Sequence, residues 1–191
     1  MVLSNKIIIK NKNGIHGFCW FAIEDIKEGE MLWSENKTIE KYHDITISID
    51  VLNTWPKLDR DKFLSLAYMV SEGIYRGSDP HEQDNIPIEE QNEYYVNHSC
   101  DGNAWYEGAD LLVAKRDIKA GEEICYDYAL TETNPDWCLS ENGCLCGTKK
   151  CRGKVTGNDW KLLPRLQNEY EGHFLPYINE MIFKFNKKTP L

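Results

Sequence analysis

Short apolar runs separated by turn-forming residues recur along the chain and predict a mostly-β fold. The runs KIIIK at 6–10 and FCWFAI at 18–23 are rich in β-branched and aromatic residues, which favours strands. Gly14 and Gly17 lie in the polar segment between them, where a turn can use backbone angles that other residues avoid. The first part of the chain is therefore predicted to be a hairpin.

The same arrangement of turn and strand occurs twice more. DIKEGEMLW at 25–33 predicts a turn at 27–29 followed by a strand, and DIKAGEEICYDY at 117–128 repeats its Asp-Ile-Lys-x-Gly-Glu pattern. The repeat indicates either a duplicated hairpin or one turn solution used twice. Further strand candidates are ITISIDV (45–51), YYVN (94–97) and ADLLVAKRDI (109–118).

Helical patterns are fewer and lie between or after the strands. Residues 57–74 carry apolar side chains at largely helical spacing and predict a helix. Residues 79–91 are polar with two prolines and predict a loop. The tail at 158–185 is aromatic and leucine-rich, and Pro164 and Pro176 should divide it into short helices that pack on the core.

Composition and charge narrow the class of protein. The 191 residues are 41% hydrophobic, enough for a core, and their net charge is −9. General binding to nucleic acid needs excess Lys and Arg, so it is not expected, whereas a basic partner would be attracted. The longest apolar runs fall far short of a membrane span or a signal peptide. We therefore expect a reducing intracellular location, where seven cysteines do not indicate disulfides.

Three cysteines near the carboxyl end have metal-ligand spacing: Cys144, Cys146 and Cys151. Structural zinc takes four ligands in a tetrahedron, so one more is needed. The candidates for it are Cys138, Cys100, Cys19, Cys125 or a His. Spacing does not choose between Cys138, which is near in sequence, and Cys100. Cys19 and Cys125 lie inside strand patterns and are interpreted as small core residues.

Four segments in order resemble one known family. NHSCDGN at 97–103 resembles the Asn-His-Ser-Cys-x-Pro-Asn signature of SET-domain protein-lysine methyltransferases. GEEICYDY at 121–128 resembles their Gly-Glu-Glu-Leu-x-Phe-Asp-Tyr signature, and CLCGTKKCRG at 144–153 resembles their post-SET cysteine motif. IHGFCWFAIEDIKEGE at 15–30 is similar to their opening strand and turn.

The resemblance implies an architecture. The fold would be a β-clip of small curved sheets with a pseudoknot in which the NHSC segment passes beneath the loop after the last strands. A SET domain would span 4–130 with a helical insert at about 56–92, followed by a post-SET zinc segment at 138–155 and a helical extension at 158–187. The resemblance also makes Cys100 the fourth ligand, with Cys144, Cys146 and Cys151, of a structural zinc ion.

The resemblance further implies S-adenosylmethionine as cofactor and a lysine side chain as acceptor. The cofactor-binding residues would be His16, Gly17, Phe18, Tyr94, Asn97, His98 and Leu145. Tyr128 matches the family's catalytic tyrosine and would orient the lysine nitrogen. Tyr126 would limit the space beside it, so that mainly monomethyl-lysine forms. The lysine must lose its proton to react, and burial beside the sulfonium would favour this without a strong base in the chain.

Several positions depart from the family's pattern. Cys19 stands where a Gly is usual, Gly102 where a Pro is usual and Tyr94 where an Arg is usual. The Tyr expected after the second strand is missing, because Ser34 and Glu35 occupy that stretch. Two alternatives therefore accompany a protein-lysine methyltransferase of histone or non-histone proteins. One is an inactive SET-like zinc domain that binds peptides or partner proteins, and the other is an enzyme with a different acceptor. The compartment is open between nucleus and cytoplasm.

Overall fold

The computed structural model describes residues 2–12, 17–35, 44–85 and 95–188. Its strands are β1 (Val2–Leu3), β2 (Ile7–Asn11), β3 (Phe18–Ala22), β4 (Met31–Ser34), β5 (Asp44–Ser48), β6 (Tyr68–Ser71), β7 (Ile74–Ser78), β8 (Asn97–His98), β9 (Ala104–Tyr106), β10 (Leu111–Ala114) and β11 (Glu123–Tyr126). Its α-helices are α1 (Ile49–Leu52), α2 (Lys57–Leu64), α3 (Asp159–Leu162), α4 (Pro164–Glu169) and α5 (Pro176–Lys188).

The strands form three small sheets, and the predicted mostly-β fold is confirmed. Two sheets have four strands, in the orders β1-β4-β10-β9 and β2-β3-β11-β8, and the third has the order β5-β7-β6. Neighbouring strands run antiparallel except β8 and β11, which are parallel. The predicted hairpin of β2 and β3 is present, although its turn residues 13–16 lie outside the described residues.

The two Asp-Ile-Lys segments lie against each other. Ile26 and Ile118 form an antiparallel bridge, with N–H···O distances of 2.9 and 2.8 Å. Exposed ion pairs flank it, Lys27 with Asp117 and Lys119 with Asp25, each with an N···O distance of 2.7 Å. Such surface pairs contribute little stability, so the backbone bridge and the two buried isoleucines hold the turns together.

The insert between β5 and β8 differs from the predicted helix over 57–74. Helix α2 ends at Leu64, and β6 and β7 form a hairpin. β7 pairs along its whole length with β5, and Gly73 makes the hairpin turn with a φ of +69°. Aromatic and β-branched side chains suit a strand, and pairing with β5 satisfies the backbone, so tertiary contacts override the helical spacing. The predicted loop at 79–91 is described only to residue 85, with a 3₁₀ turn at Gln83–Asn85.

The tail packs on the main core as predicted. Pro164 begins α4 and Pro176 begins α5, so each proline stands at a helix start. Tyr170, Phe174 and Ile178 are at most 1% exposed, and burying a large apolar side chain contributes on the order of 2 kcal/mol. The tail also binds the segment after β11, because the amide of Leu175 donates to the carbonyl oxygen of Leu130 at 3.0 Å.

Among the helices of the described ranges, none combines the length and the apolar character that crossing a membrane would require.

Candidate active site

The parallel pairing of β8 with β11 brings the two central motifs together. Asn97 lies opposite Cys125 and His98 opposite Tyr126. The amide of Ser99 then donates to the carbonyl oxygen of Tyr126 at 3.0 Å. The NHSC segment and the end of the last strand are thus fixed side by side, as the expected pseudoknot requires.

Gly102 permits the close approach of these segments. A Cβ at this position would lie 2.7 Å from both the carbonyl oxygen of Cys125 and the Cα of Tyr126. Both atoms belong to the backbone, so a side chain would force the strand to shift. Glycine at this position is therefore explained by packing against β11.

His98 connects the tyrosine motif to the cysteines. It is buried, and its Nδ1 accepts a hydrogen bond from the amide of Tyr128 at 3.1 Å. The proton of the neutral ring is therefore on Nε2, which lies 3.2 Å from the Sγ of Cys100. Burial lowers the pKa of His98 to about 4, against the opposing effect of Asp127, so the ring is neutral at physiological pH.

Four cysteines converge at the carboxyl side of this motif: Cys100, Cys144, Cys146 and Cys151. Their Sγ atoms all lie within 4.8 Å of one another, and those of Cys100 and Cys144 are 3.8 Å apart. A tetrahedral zinc ion with bonds of about 2.3 Å to sulfur has sulfur–sulfur edges of about 3.8 Å. This cluster could therefore hold zinc. Cys138 is exposed and pairs with Thr156 outside the cluster.

A buried ionic network ties the cysteine segment to Asp127, the residue directly after β11. The Arg152 guanidinium donates to both carboxylate oxygens of Asp127, and its Nε donates to Asp159 at 2.8 Å. Its side chain is 4% exposed, and the amide of Arg152 also donates to the Sγ of Cys100 at 3.4 Å. Tyr170 donates to Asp127 at 3.2 Å from the tail. Asp127 immediately precedes Tyr128, so this network positions that tyrosine.

The described part of the expected cofactor site lies beside the NHSC segment. The Nδ2 of Asn97 donates to the carbonyl oxygen of Phe18 at 3.1 Å and lies 3.1 Å from the Sγ of Cys19. Gly17 has a φ of +59°, with open space where a Cβ would be. Leu145, between two cluster cysteines, is 52% exposed and offers an uncovered apolar surface. His16 and Tyr94 lie outside the described residues.

Tyr126 and Tyr128 form part of the wall of a cavity of about 330 Å³. The hydroxyl of Tyr128 donates to the carbonyl oxygen of Val96 at 3.0 Å, and that of Tyr126 lies 3.4 Å from the Oγ1 of Thr131. Burial raises the pKa of Tyr126 to about 12 and raises that of Tyr128 as well, so both phenols are neutral. Most of the remaining wall is aromatic and apolar: Trp20, Trp33, Leu66, Tyr68, Met69, Tyr106, Leu112 and Trp137.

One carboxylate interrupts this lining. Glu132 is 7% exposed, and it accepts hydrogen bonds from the amide of Asn134 at 2.7 Å and from the hydroxyl of Tyr75 at 3.3 Å. Burial raises its pKa to about 7, although these hydrogen bonds oppose the shift. A buried group poised near neutral pH in a cavity is typical of functional sites.

A family model confirms the resemblance. The model for the SET domain matches residues 17–129, more than half of the chain. The chain belongs to the SET-domain family. The matched range covers both central motifs and ends one residue beyond Tyr128, whereas the cysteine segment and the tail follow it.

Several proteins similar to this chain are named histone-lysine N-methyltransferases. One is set-2 from Caenorhabditis elegans, 28% identical over 155 residues, which are 78% of this chain and 9% of the relative. Another is ash1 from Drosophila melanogaster, 35% identical over 77 residues, 37% of this chain and 3% of the relative. The probable enzyme set-23 from C. elegans is 38% identical over 66 residues, 30% of this chain and 26% of the relative. The alignments thus cover under a third of each of these relatives.

Besides Gly102, the structure accounts for two further departures from the SET pattern. All described residues with positive φ are glycines, so Cys19 occupies its strand without the backbone strain that a left-handed position would impose. Glu35 pairs with Arg76 at 2.8 Å and is not part of the cavity wall. Tyr68 and Tyr106 line the cavity instead.

Sequence reasoning missed Tyr68, Tyr106 and Glu132. Tyr106 lies on β9 directly after the NHSCDGN motif, and its ring meets that of Tyr126 edge to face at a centroid distance of 5.5 Å. Its place three residues after the NHSCDGN motif was the signal available in the sequence. Tyr68 comes from the insert, so no local pattern could have assigned it to the cavity. Glu132 follows the GEEICYDY motif by four residues, where charge alone predicts a solvent-exposed side chain.

Proposed function

We propose that this protein is an S-adenosylmethionine-dependent protein-lysine methyltransferase. The observation that carries the proposal is the position of Tyr128. It lies in the wall of an aromatic cavity on one side, and its backbone is held by His98 of the NHSC motif on the other. A narrow, largely apolar cavity beside a tyrosine hydroxyl suits a long aliphatic side chain that ends in a reactive nitrogen.

The residues present fit the cofactor. Gly17 would allow close approach of its backbone, and Leu145 would cover an adenine face with its exposed side chain. Phe18, Asn97 and His98 would form the adjoining wall, and the roles of His16 and Tyr94 remain predictions. S-adenosylmethionine supplies a methyl group on a positively charged sulfur.

One contribution of the chain to the reaction would be positioning. The lysine chain would lie against the aromatic lining, which favours the neutral amine because a charge is poorly solvated there. The neutral hydroxyl of Tyr128 would orient the nitrogen, and alignment of the reacting atoms supplies much of the rate.

Product choice would depend on Tyr126. Its hydroxyl is held near Thr131 inside the cavity, where it reduces the space beside the lysine nitrogen. We infer that mainly monomethyl-lysine forms, because a methylated nitrogen has little room to turn for a second transfer.

The metal would be structural. Four sulfur ligands fill the tetrahedral positions of zinc and leave none open for a reacting group. The ion would fix Leu145 and Arg152 beside the NHSC motif. The proposed division of the chain is a SET domain at 4–130, with its insert at about 56–92, then the zinc segment at 138–155 and the extension at 158–187.

The proposed substrate is a lysine in a basic protein segment, such as a histone tail. Relatives carry histone-lysine names, and a net charge of −9 attracts a lysine-rich partner. The proposed location is intracellular, in nucleus or cytoplasm. Binding to nucleic acid or membrane is not part of the proposal. The inactive binding module is less well supported, because Cys19 is unstrained and Tyr68 and Tyr106 complete the cavity.

The test combines cofactor binding with transfer. The purified protein is titrated with S-adenosylmethionine by calorimetry and then incubated with the labelled cofactor, core histones and cell lysate, beside a Tyr128→Phe variant. We expect both proteins to bind the cofactor and the wild type alone to label protein. No binding and no label would favour the inactive peptide-binding domain.

A further inference from the structure

Glu132 is the acidic group in the cavity wall that the proposed mechanism leaves unused. It comes two residues after the 3₁₀ turn Tyr128–Leu130, and it lines the cavity together with Tyr126 and Thr131. Its carboxylate is anchored by the hydroxyl of Tyr75 and the amide of Asn134. These two donors hold the side chain in place without neutralising its charge.

The titratable side chains that interact with Glu132 are the phenols of three tyrosines. Tyr75 comes from β7, Tyr126 from β11 and Tyr177 from α5, and burial raises the pKa of each above its ordinary value. Within the described ranges no Lys, Arg or His side chain forms an ion pair with Glu132. Of the described residues in the cavity wall, Glu132 is the one that ionises below pH 9.

A buried carboxylate without a cation is costly unless a cation arrives with the substrate. A lysine entering this cavity brings an ammonium group, and it must lose a proton before its nitrogen can accept a methyl group. We propose that Glu132 accepts that proton, directly or through one water, and so acts as the general base of the reaction. The inference rests on the proposed lysine methyltransferase function.

The step balances without any added reagent. An N–H bond of the ammonium breaks, its electron pair stays on nitrogen, and the proton forms an O–H bond on the Glu132 carboxylate. The neutral amine is then free to take the methyl group, and Glu132 later releases the proton to water. The pKa of about 7 that burial gives Glu132 suits a base at neutral pH, because the carboxylate is then both populated and able to bind a proton.

The test is the pH dependence of kcat/KM for the wild type and Glu132→Gln, with core histones or whichever lysate protein takes label. A positioned base contributes about 100-fold or more, so the variant should lose about 100-fold at pH 7. The variant depends on lysine that is already neutral, and that fraction rises about tenfold per pH unit below pH 10. The difference between the two proteins should therefore shrink at least tenfold by pH 9.

A second variant keeps the carboxylate and changes its environment. Tyr75→Phe removes a donor that favours the ionised form of Glu132, so the acidic limb of the profile should move to higher pH. Circular dichroism and calorimetry with S-adenosylmethionine check that both variants fold and bind the cofactor.

The outcomes separate the two ideas. A deficit of Glu132→Gln that is equal at every pH, with an unmoved limb in Tyr75→Phe, would assign Glu132 a structural role and overturn the inference alone. If the wild type transfers no label at any pH, the proposed function fails first and the inference fails with it.

Discussion

Removing the Arg152 guanidinium should destabilise the protein by about 3–5 kcal/mol, the cost of breaking a buried ion pair. The side chains of Arg152, Asp127 and Asp159 are 4%, 1% and 9% exposed. Arg152→Met retains much of the apolar stem but leaves two carboxylates buried without their cation. Part of the loss would come from the cysteine segment, because the amide of Arg152 also contacts Cys100.

The assay is urea unfolding followed by tryptophan fluorescence, since the chain has six Trp residues, at a fixed zinc concentration. Arg152→Lys is the matched control. It keeps the charge but lacks the planar fork that donates to Asp127 while Nε donates to Asp159, so it should lose stability, though less than Arg152→Met. The double variant Arg152→Met with Asp127→Asn should recover stability over Arg152→Met, because it removes one unpaired charge. A loss under about 1 kcal/mol, or no recovery in the double variant, would refute this account.

Three further changes have distinct expected results. Tyr126→Phe should shift the product from monomethyl-lysine toward di- and trimethyl-lysine in mass spectra of the labelled protein. An unchanged ratio of these products would contradict the role proposed for the Tyr126 hydroxyl. Glu132→Gln tests the effect of this carboxyl group on stability, because burial raises its pKa from 4.5 in the unfolded chain to about 7 in the folded one. The protonated group therefore contributes fully to the free energy of unfolding below about pH 4.5, and about 3 kcal/mol of that free energy is lost as the pH rises through 7. The variant should therefore unfold at higher urea than the wild type at pH 8 but not at pH 4.5, and an equal difference at both pH values would contradict the shift. For the metal, we expect one zinc per chain by elemental analysis, lost in Cys151→Ser and kept in Cys138→Ser; the reverse pattern would place the site elsewhere.

The fold could be predicted where its signals are local. Short strands, glycine turns and prolines at helix starts follow from a few neighbouring residues, and β2, β3, α4 and α5 were found where the sequence indicates them. The stretch after Leu64 could not be predicted in this way. The spacing of its apolar residues suits a helix. It forms a hairpin because β7 pairs with β5, which is distant in sequence.

The candidate site likewise has parts that local sequence predicts and parts that depend on tertiary packing. The NHSC and tyrosine motifs each occupy a few residues, so the sequence could indicate their chemistry. Spacing left Cys100 and Cys138 as alternatives, and the Sγ cluster contains Cys100 because the pairing of β8 with β11 brings it to the other three cysteines. The convergence of Tyr68 and Glu132 on one cavity depends on tertiary packing, and nothing in their neighbouring residues reports it.

The most direct test of the central claim is to identify the atom that receives the methyl group. Protein labelled by the wild type is digested, and the modified residue is located by tandem mass spectrometry, with a Tyr128→Phe reaction run in parallel. The account predicts one added methyl group on a lysine side chain in the wild-type reaction and none with the variant. A methyl group on another residue type, or equal labelling by the variant, would contradict it.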